Sequence, residues 1–193
     1  MDFKLLLSSH PYLKTLPQAD LLQLQGRIQY RELQQGQHLL MPDEICKHIH
    51  FIVDGFFRIY HLDNGLEATI GFAGENQLFT LMKSFFQQKR RREGIICEVN
   101  AKVFSLSYHD LRGLEDASSD VIQLGKTVME QHMIKLHKQV KAYRLGNATQ
   151  KYLYLCSQFP KISHQVSQKH IASYLGITEQ TMSLIRKSLL RKT

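Results

Sequence analysis

The residues best suited to chemistry lie toward the C-terminal end. Between positions 167 and 187 the chain sets out Ser167-Gln168-Lys169, Thr178-Glu179-Gln180-Thr181, Ser183 and Arg186-Lys187. This set pairs no nucleophile with a base and gathers no metal-binding types, so it is not a hydrolytic or redox set. It suits the grasping of an anion and the reading of hydrogen-bonding edges. Lys169, Arg186 and Lys187, with Arg191 and Lys192 beyond them, can meet phosphates, helped by the hydroxyls of Ser167 and Thr178. Such contacts position a protein on nucleic acid and carry no sequence information. Glu179, Gln180, Thr181 and Ser183 are the candidates for base edges: Gln pairs with adenine, Glu accepts from cytosine, and Thr or Ser serves several bases. The partner expected from these residues is double-stranded DNA.

Two short helices must hold them. Ser167 to Leu175 reads as a helix with Ser167 as N-cap, Gly176-Ile177 as a turn, and Thr178 as the N-cap of a second helix. Gly176 stands where the turn needs positive φ, and Ala172 is small where the helices cross. Ile171, Leu175, Ile177, Met182 and Ile185 supply a small core. The order is helix-turn-helix, leaving Glu179, Gln180, Ser183, Arg186 and Lys187 on the outer face.

Charge supports the assignment. The chain has 193 residues and a formal net charge of +8. Residues 1–115 hold 13 Lys+Arg and 13 Asp+Glu, whereas residues 116–193 hold 12 and 4. The whole excess therefore lies in the second part, which implies a neutral sensing half and an anion-binding half. The length fits one or two domains, and 43% hydrophobic residues suffice for a core. No apolar run approaches the ~18 residues of a membrane span, and Met1 to Ser8 lacks the pattern of a signal peptide. Cys46, Cys97 and Cys156 are scattered, which speaks against a disulfide framework, a zinc finger or a four-cysteine iron–sulfur centre, and for a reducing cytoplasm. His48 and His50 share a strand face at ligand-like spacing, but without a third ligand they read as surface or core histidines, and no metal site is expected.

Upstream, β-branched and aromatic runs alternate with turn residues. Ile49 to Val53 precedes Asp54-Gly55, Phe56 to Tyr60 precedes Asp63-Asn64-Gly65, and Ala68 to Phe72 precedes Gly74; Ile95 to Val99 and Val103 to Leu106 follow. This spacing predicts an antiparallel sandwich or jelly roll. Pro17 to Gly26 reads as a short helix before it, and a short helix fits within Gln77 to Arg92. From Asp116 to Leu145 the period turns helical. Met129, Met133, Leu136, Val140 and Tyr143 are spaced 4, 3, 4 and 3, and the stripe extends back through Gly125 to Ile122. That is a heptad-like seam for pairing with a second copy, on a helix of roughly 30 residues and about 45 Å. Val121, Leu124 and Val128 form a second stripe facing the chain's own sheet. Leu145-Gly146-Asn147 reads as a left-handed helix end and a boundary. Ala148 to Phe159 is a further helix, stopped by Pro160. The expected architecture is α+β: an effector domain over 1–115 built on a roll with flanking helices, a dimerisation helix over 116–145, and a helix-turn-helix domain over 146–193.

In this order the pieces resemble the Crp/Fnr family of bacterial transcription regulators over the whole chain. The matching residues are Gly36, Asp54-Gly55-Phe56-Phe57-Arg58, Asp63-Asn64-Gly65-Leu66-Glu67 and Gly74, then Ile171-Ala172-Ser173-Tyr174-Leu175-Gly176-Ile177-Thr178 and Thr181. The resemblance implies a cytoplasmic homodimer whose cyclic-nucleotide-binding-like domain answers to an effector, with DNA and RNA polymerase as partners and no membrane. It also implies a pocket at Phe72, Thr80, Leu81, Met82, Arg91 and Arg92. Members that bind cyclic AMP carry a Gly-Glu pair, a short helix, and Arg followed by Ser or Thr. The Glu holds ribose hydroxyl; the Arg and backbone amides hold phosphate. Here Gly74-Glu75 comes too early, Thr80-Leu81 stands at the pair's place, and Arg91-Arg92-Glu93 replaces the Arg segment. Cyclic nucleotide is therefore not the expected ligand, and the effector stays open. Leu184 stands where members commonly place Arg. The chain ends at Thr193, so most of a wing, and its contacts, are not expected. The alternative is a small-ligand-binding protein that acts through protein partners. An enzyme is not expected, because no nucleophile elbow, Walker loop or dinucleotide fingerprint is present.

Overall fold

The computed structural model describes residues 3–190. Helix α1 (Phe3–Ser9) and helix α2 (Gln18–Arg27) bracket a 3-10 turn at Pro11–Thr15. Pro17 stands just before α2, while Gly26 lies inside it rather than ending it. Leu6, Leu13, Leu24 and Ile28 bury against Phe51, Phe104 and Leu106, and so seal one face of the sheet.

The strands are β1 (Gln29–Leu33), β2 (His38–Leu40), β3 (His48–Asp63), β4 (Leu66–Gly74), β5 (Leu78–Phe79) and β6 (Glu93–Ser107). All pairings are antiparallel. β6 pairs with β1, β2 and β3, and β3 also takes β4 and β5, giving a jelly-roll-like sheet. Asn64 (φ 50°) and Gly65 (φ 79°) make the hairpin between β3 and β4, as two successive positive φ values demand of Asn-Gly. The roll interior is filled by Ile52, Phe57, Phe79, Phe85, Ile95, Cys97 and Val103.

Asp54-Gly55 is not the turn that the sequence suggests. Ile49 to Val53 and Phe56 to Tyr60 lie in one strand of 16 residues, β3, facing another of 15, β6. The pairing slips between Ile52 and Phe57, so the two strands bend together instead of reversing. Gly55 makes this possible. It has φ +103°, and a Cβ there would lie 2.4 Å from the Cβ of Ala101.

The long helix also differs from expectation. Ser118 takes an extended conformation and splits the stretch into α4 (Tyr108–Ala117) and α5 (Ser119–Leu145). The cause is remote in sequence: the Ser118 hydroxyl donates to the buried carboxylate of Asp20 on α2 at 2.6 Å. α5 has 27 residues, about 40 Å of rise. Val121 is buried and Leu124 packs beside it, on the side of the N-terminal helices. Gly146 is extended, not left-handed. Asn147 instead caps the next helix, α6 (Ala148–Gln158): its side-chain Oδ1 accepts from the Gln150 N–H at 3.0 Å, and the Gln150 side chain accepts from the Asn147 N–H at 2.9 Å. Helices α7 (Ile162–Gln165), α8 (Gln168–Leu175) and α9 (Glu179–Leu190) follow. Met1, Asp2 and residues 191–193, including Arg191 and Lys192, lie outside the described residues. Among the described residues no helix is long and apolar enough to cross a membrane.

Gly55→Ala is expected to cost ~3 kcal/mol or more, because backbone strain and a collision with Ala101 add. Urea denaturation followed by circular dichroism checks this; an unchanged midpoint would mean that the bend does not need glycine.

Candidate nucleic-acid interface and its seat on the sheet

The two C-terminal helices are fixed by their caps. The Ser167 hydroxyl accepts from the His170 N–H at 3.3 Å at the start of α8. Gly176 ends α8 with φ 67°. The Thr178 hydroxyl accepts from the Thr181 N–H at 3.1 Å at the start of α9, and the two threonine hydroxyls lie 2.9 Å apart. Ile171, Ala172, Leu175, Met182 and Ile185 are buried together with Tyr152, Leu155 and Ile162. Ile177 is half-buried beside them.

This frame sorts the site residues. Glu179, Gln180 and Lys187 are exposed along α9, and Lys169 is exposed in the first turn of α8. Ser183 and Gln168 are half-buried. Thr181 is engaged in the cap. Arg186 is half-buried and lies near Tyr152 and Cys156 of α6, where its charge draws the thiol down against the upward push of burial. Leu184 stands on the outer face and is 67% exposed.

The sequence reading missed where this unit sits. Ala73 faces the roll interior, so Phe72, its neighbour on β4, must face outward. Phe72 therefore does not line a pocket in the roll. Its ring meets Tyr174 of α8 at 5.0 Å and Phe159 at 6.4 Å between centroids. Phe56, beside the bend in β3, meets Phe159 at 5.2 Å. Around these rings lies a polar border. The Thr69 N–H donates to the Ser173 hydroxyl at 3.0 Å. Arg58 is only 3% exposed; its Nε donates to Glu98 at 2.6 Å and its Nη1 to Glu67 at 3.0 Å. His170 Nδ1 lies 3.4 Å from the same Glu98 carboxylate. Burial lowers the His170 pKa and the Arg58 charge lowers it further, while Glu98 and Glu67 oppose them. The Phe56-Phe57 doublet was the available signal: neighbours on a strand face opposite sides, so one ring needed a second core.

Tyr143 also leaves the place that its spacing gives it. Its ring packs edge-on against Tyr154 and Tyr174, both at 5.6 Å, and burial pushes its hydroxyl pKa up. Gln139 donates to the Tyr174 hydroxyl at 2.7 Å. Ile122, Met129, Met133, Leu136 and Val140 remain exposed along α5.

The other positions assigned to a pocket are engaged by neighbours or buried. Leu81 is buried in the roll interior, and Met82 is half-buried at the start of helix α3 (Met82–Gln87). The Thr80 hydroxyl donates to the His48 carbonyl at 2.8 Å. Arg91 donates to the Gln87 side chain, and Arg92 pairs with Asp63. Glu75 points toward the C-terminal unit, 3.9 Å from Lys161 Nζ. Among the described residues no three His, Cys, Asp or Glu side chains gather as a metal site.

Residues 30–118 match the model of the cyclic nucleotide-binding domain. Solved structures match over nearly the whole chain. FixK2 from Bradyrhizobium japonicum has TM-score 0.71 and 14% identity, covering 86% of this chain and 85% of its own. DNR from Pseudomonas aeruginosa has TM-score 0.59 and 20% identity, covering 98% and 89%. A protein from Eubacterium rectale, described as a transcriptional regulator of the Crp/Fnr family, has TM-score 0.71 and 14% identity, covering 96% and 88%. The fold is that of the Crp/Fnr regulators. Comparison with curated proteins by sequence finds no match. In this chain, the α8–α9 unit rests on the outer face of the roll's sheet through Phe72, Tyr174 and the Arg58 cluster.

Phe72→Ala is expected to loosen that seat without opening the roll. Amide hydrogen exchange at Thr69 should rise by an order of magnitude or more, for about 1.4 kcal/mol or more of lost local stability, while Ile95 and Cys97 stay protected. Equal acceleration at all three would show that the ring supports the whole fold instead.

Proposed function

We propose that the chain is a homodimeric, DNA-binding transcription regulator of the cytoplasm, with an N-terminal sensor domain that does not take cyclic AMP in the usual way. The observation that carries this reading is the capped α8–α9 pair, which presents Glu179, Gln180, Ser183 and Lys187 beside Lys169. Lys169 and Lys187 meet phosphates, while Gln180, Glu179 and Ser183 read base edges in the major groove. Leu184 suits the methyl group of thymine. The charge distribution supports an anionic partner: residues 145–193 hold seven Lys+Arg and one acid, Glu179.

The exposed stripe of Ile122, Met129, Met133, Leu136 and Val140 supports pairing through α5, because so continuous an apolar row on one helix is better buried than wetted. Against cyclic AMP stand Thr80-Leu81 in place of the Gly-Glu pair, and Arg91 and Arg92 held by Gln87 and Asp63. One observation favours a second reading, a ligand-binding protein acting through protein partners: the exposed Leu184 gives α9 an apolar centre.

Fluorescence anisotropy against genomic fragments at two salt concentrations separates the two. Binding should fall by about 0.9 log unit per log unit of salt for each phosphate neutralised, and Lys187→Ala should lower that slope by about 1. No binding at the lower salt would remove the DNA reading and leave the second. Light scattering should give about twice the 22.5 kDa protomer mass, and Met133→Glu should bring it toward one protomer. Wild-type protein at the protomer mass would remove the dimer.

A further inference from the structure

A groove opens beside the loop between β2 and β3, bordered by Arg31 of β1. Its volume is about 580 Å³, within the range of small-molecule sites. Of the positions given above to an effector pocket, Thr80 and Arg91 adjoin it, through the His48 carbonyl and the Asp43 N–H, but neither they nor Leu81, Met82 and Arg92 line it. Arg31 from β1, Lys47 from the β2–β3 loop and Arg90 from the loop after α3 reach it, and His48 and His50 line it from β3.

Three features make it more than a dent. First, Arg31, Lys47 and Arg90 form no ion pair among the described residues, although Arg91 and Arg92 beside Arg90 are both engaged. The run Lys89 to Arg92 thus has one guanidinium left over, and it borders the groove. Second, His50 is 4% exposed, and its Nδ1 lies 2.9 Å from the hydroxyl of Ser105, itself buried. That hydroxyl has no other partner for its proton, so it donates to Nδ1, and the Nε2–H is left without a protein acceptor on a ring that lines the groove. Burial keeps this ring neutral, with a pKa pushed down to about 3, so it offers a fixed donor and no net charge. Third, the two acids present are unequal. The Glu44 carboxylate already accepts from the Met41 N–H at 3.0 Å. Asp43, held at φ 63°, keeps an exposed carboxylate, which opposes a simple polyanion and accepts from hydroxyls.

We infer that this groove binds a small hydroxylated phosphate ester, its phosphoryl group held by Arg31, Lys47 and Arg90 and its hydroxyl end turned toward Asp43. Cations without partners suit a doubly charged head. The inference adds a ligand class to the sensor reading, but it is tested without DNA, so that either can fail alone.

The experiment is thermal unfolding of the full chain with ribose 5-phosphate, with inorganic phosphate, and with sodium chloride at matched ionic strength. Ribose 5-phosphate should raise Tm saturably, by ~2–4 °C over chloride, and inorganic phosphate should raise it less. Lys47→Ala/Arg90→Ala alters exposed side chains, so the variant should fold and lose the rise. Lys14→Ala/Lys126→Ala removes the same charge elsewhere and should keep it. No rise in the wild type, or an equal rise in the Lys47/Arg90 variant, overturns the site. An equal rise with inorganic phosphate overturns the ester assignment.

Discussion

The close approach of Gly55 to Ala101 is the constraint on which the architecture turns. Without a side chain at Gly55, β3 and β6 can slip in register and bend as a pair. The bend lets two strands serve several cores. Before it, Phe51 and Phe104 face the N-terminal helices. After it, Phe57 closes the roll interior while Phe56, one residue away, joins the core of the C-terminal helices. The roll and the C-terminal helices therefore share the backbone of β3.

The contact between them is mixed in kind. Phe56, Phe72, Phe159 and Tyr174 supply apolar area and edge-on ring packing. Arg58 supplies orientation rather than strength. A buried cation must be matched by its partners, and Glu98 and Glu67 do that from two different strands. Such an arrangement adds little net stability but penalises any docking that separates the charges. His170 lies against the same carboxylate, so α8 is aligned by a cluster that belongs to the sheet.

What could be read from the sequence follows the range of the forces involved. The α8–α9 pair was legible in detail because its determinants are local: Ser167 and Thr178 as caps, Gly176 at positive φ, Met182 and Ile185 at helical spacing. The hairpin at Asn64-Gly65 was legible for the same reason. Asp54-Gly55 misled, because the same dipeptide serves a turn or a bend, and Ala101 on the opposing strand decides which. The break at Ser118 depends on Asp20, and the direction of Phe72 on Tyr174. Tyr143 kept the spacing of the seam, yet its ring found a partner across the molecule. Each of these is a long-range contact. Of the pocket positions, Arg92 is likewise held by the distant Asp63, whereas Arg91 is held by Gln87 four residues away.

Helix α5 presents two different surfaces along its last turns. One carries Leu136 and Val140 to solvent. The other grips α8, through Gln139 to the Tyr174 hydroxyl and through Tyr143 to the Tyr174 ring. A stiff rod held in this way works as an axle. Turning it about its long axis, by whatever settles on the open side, would drag Tyr174 with it or tear that ring away from Phe72. The angle at which α9 meets its surroundings is therefore geared, through α8, to the roll of α5.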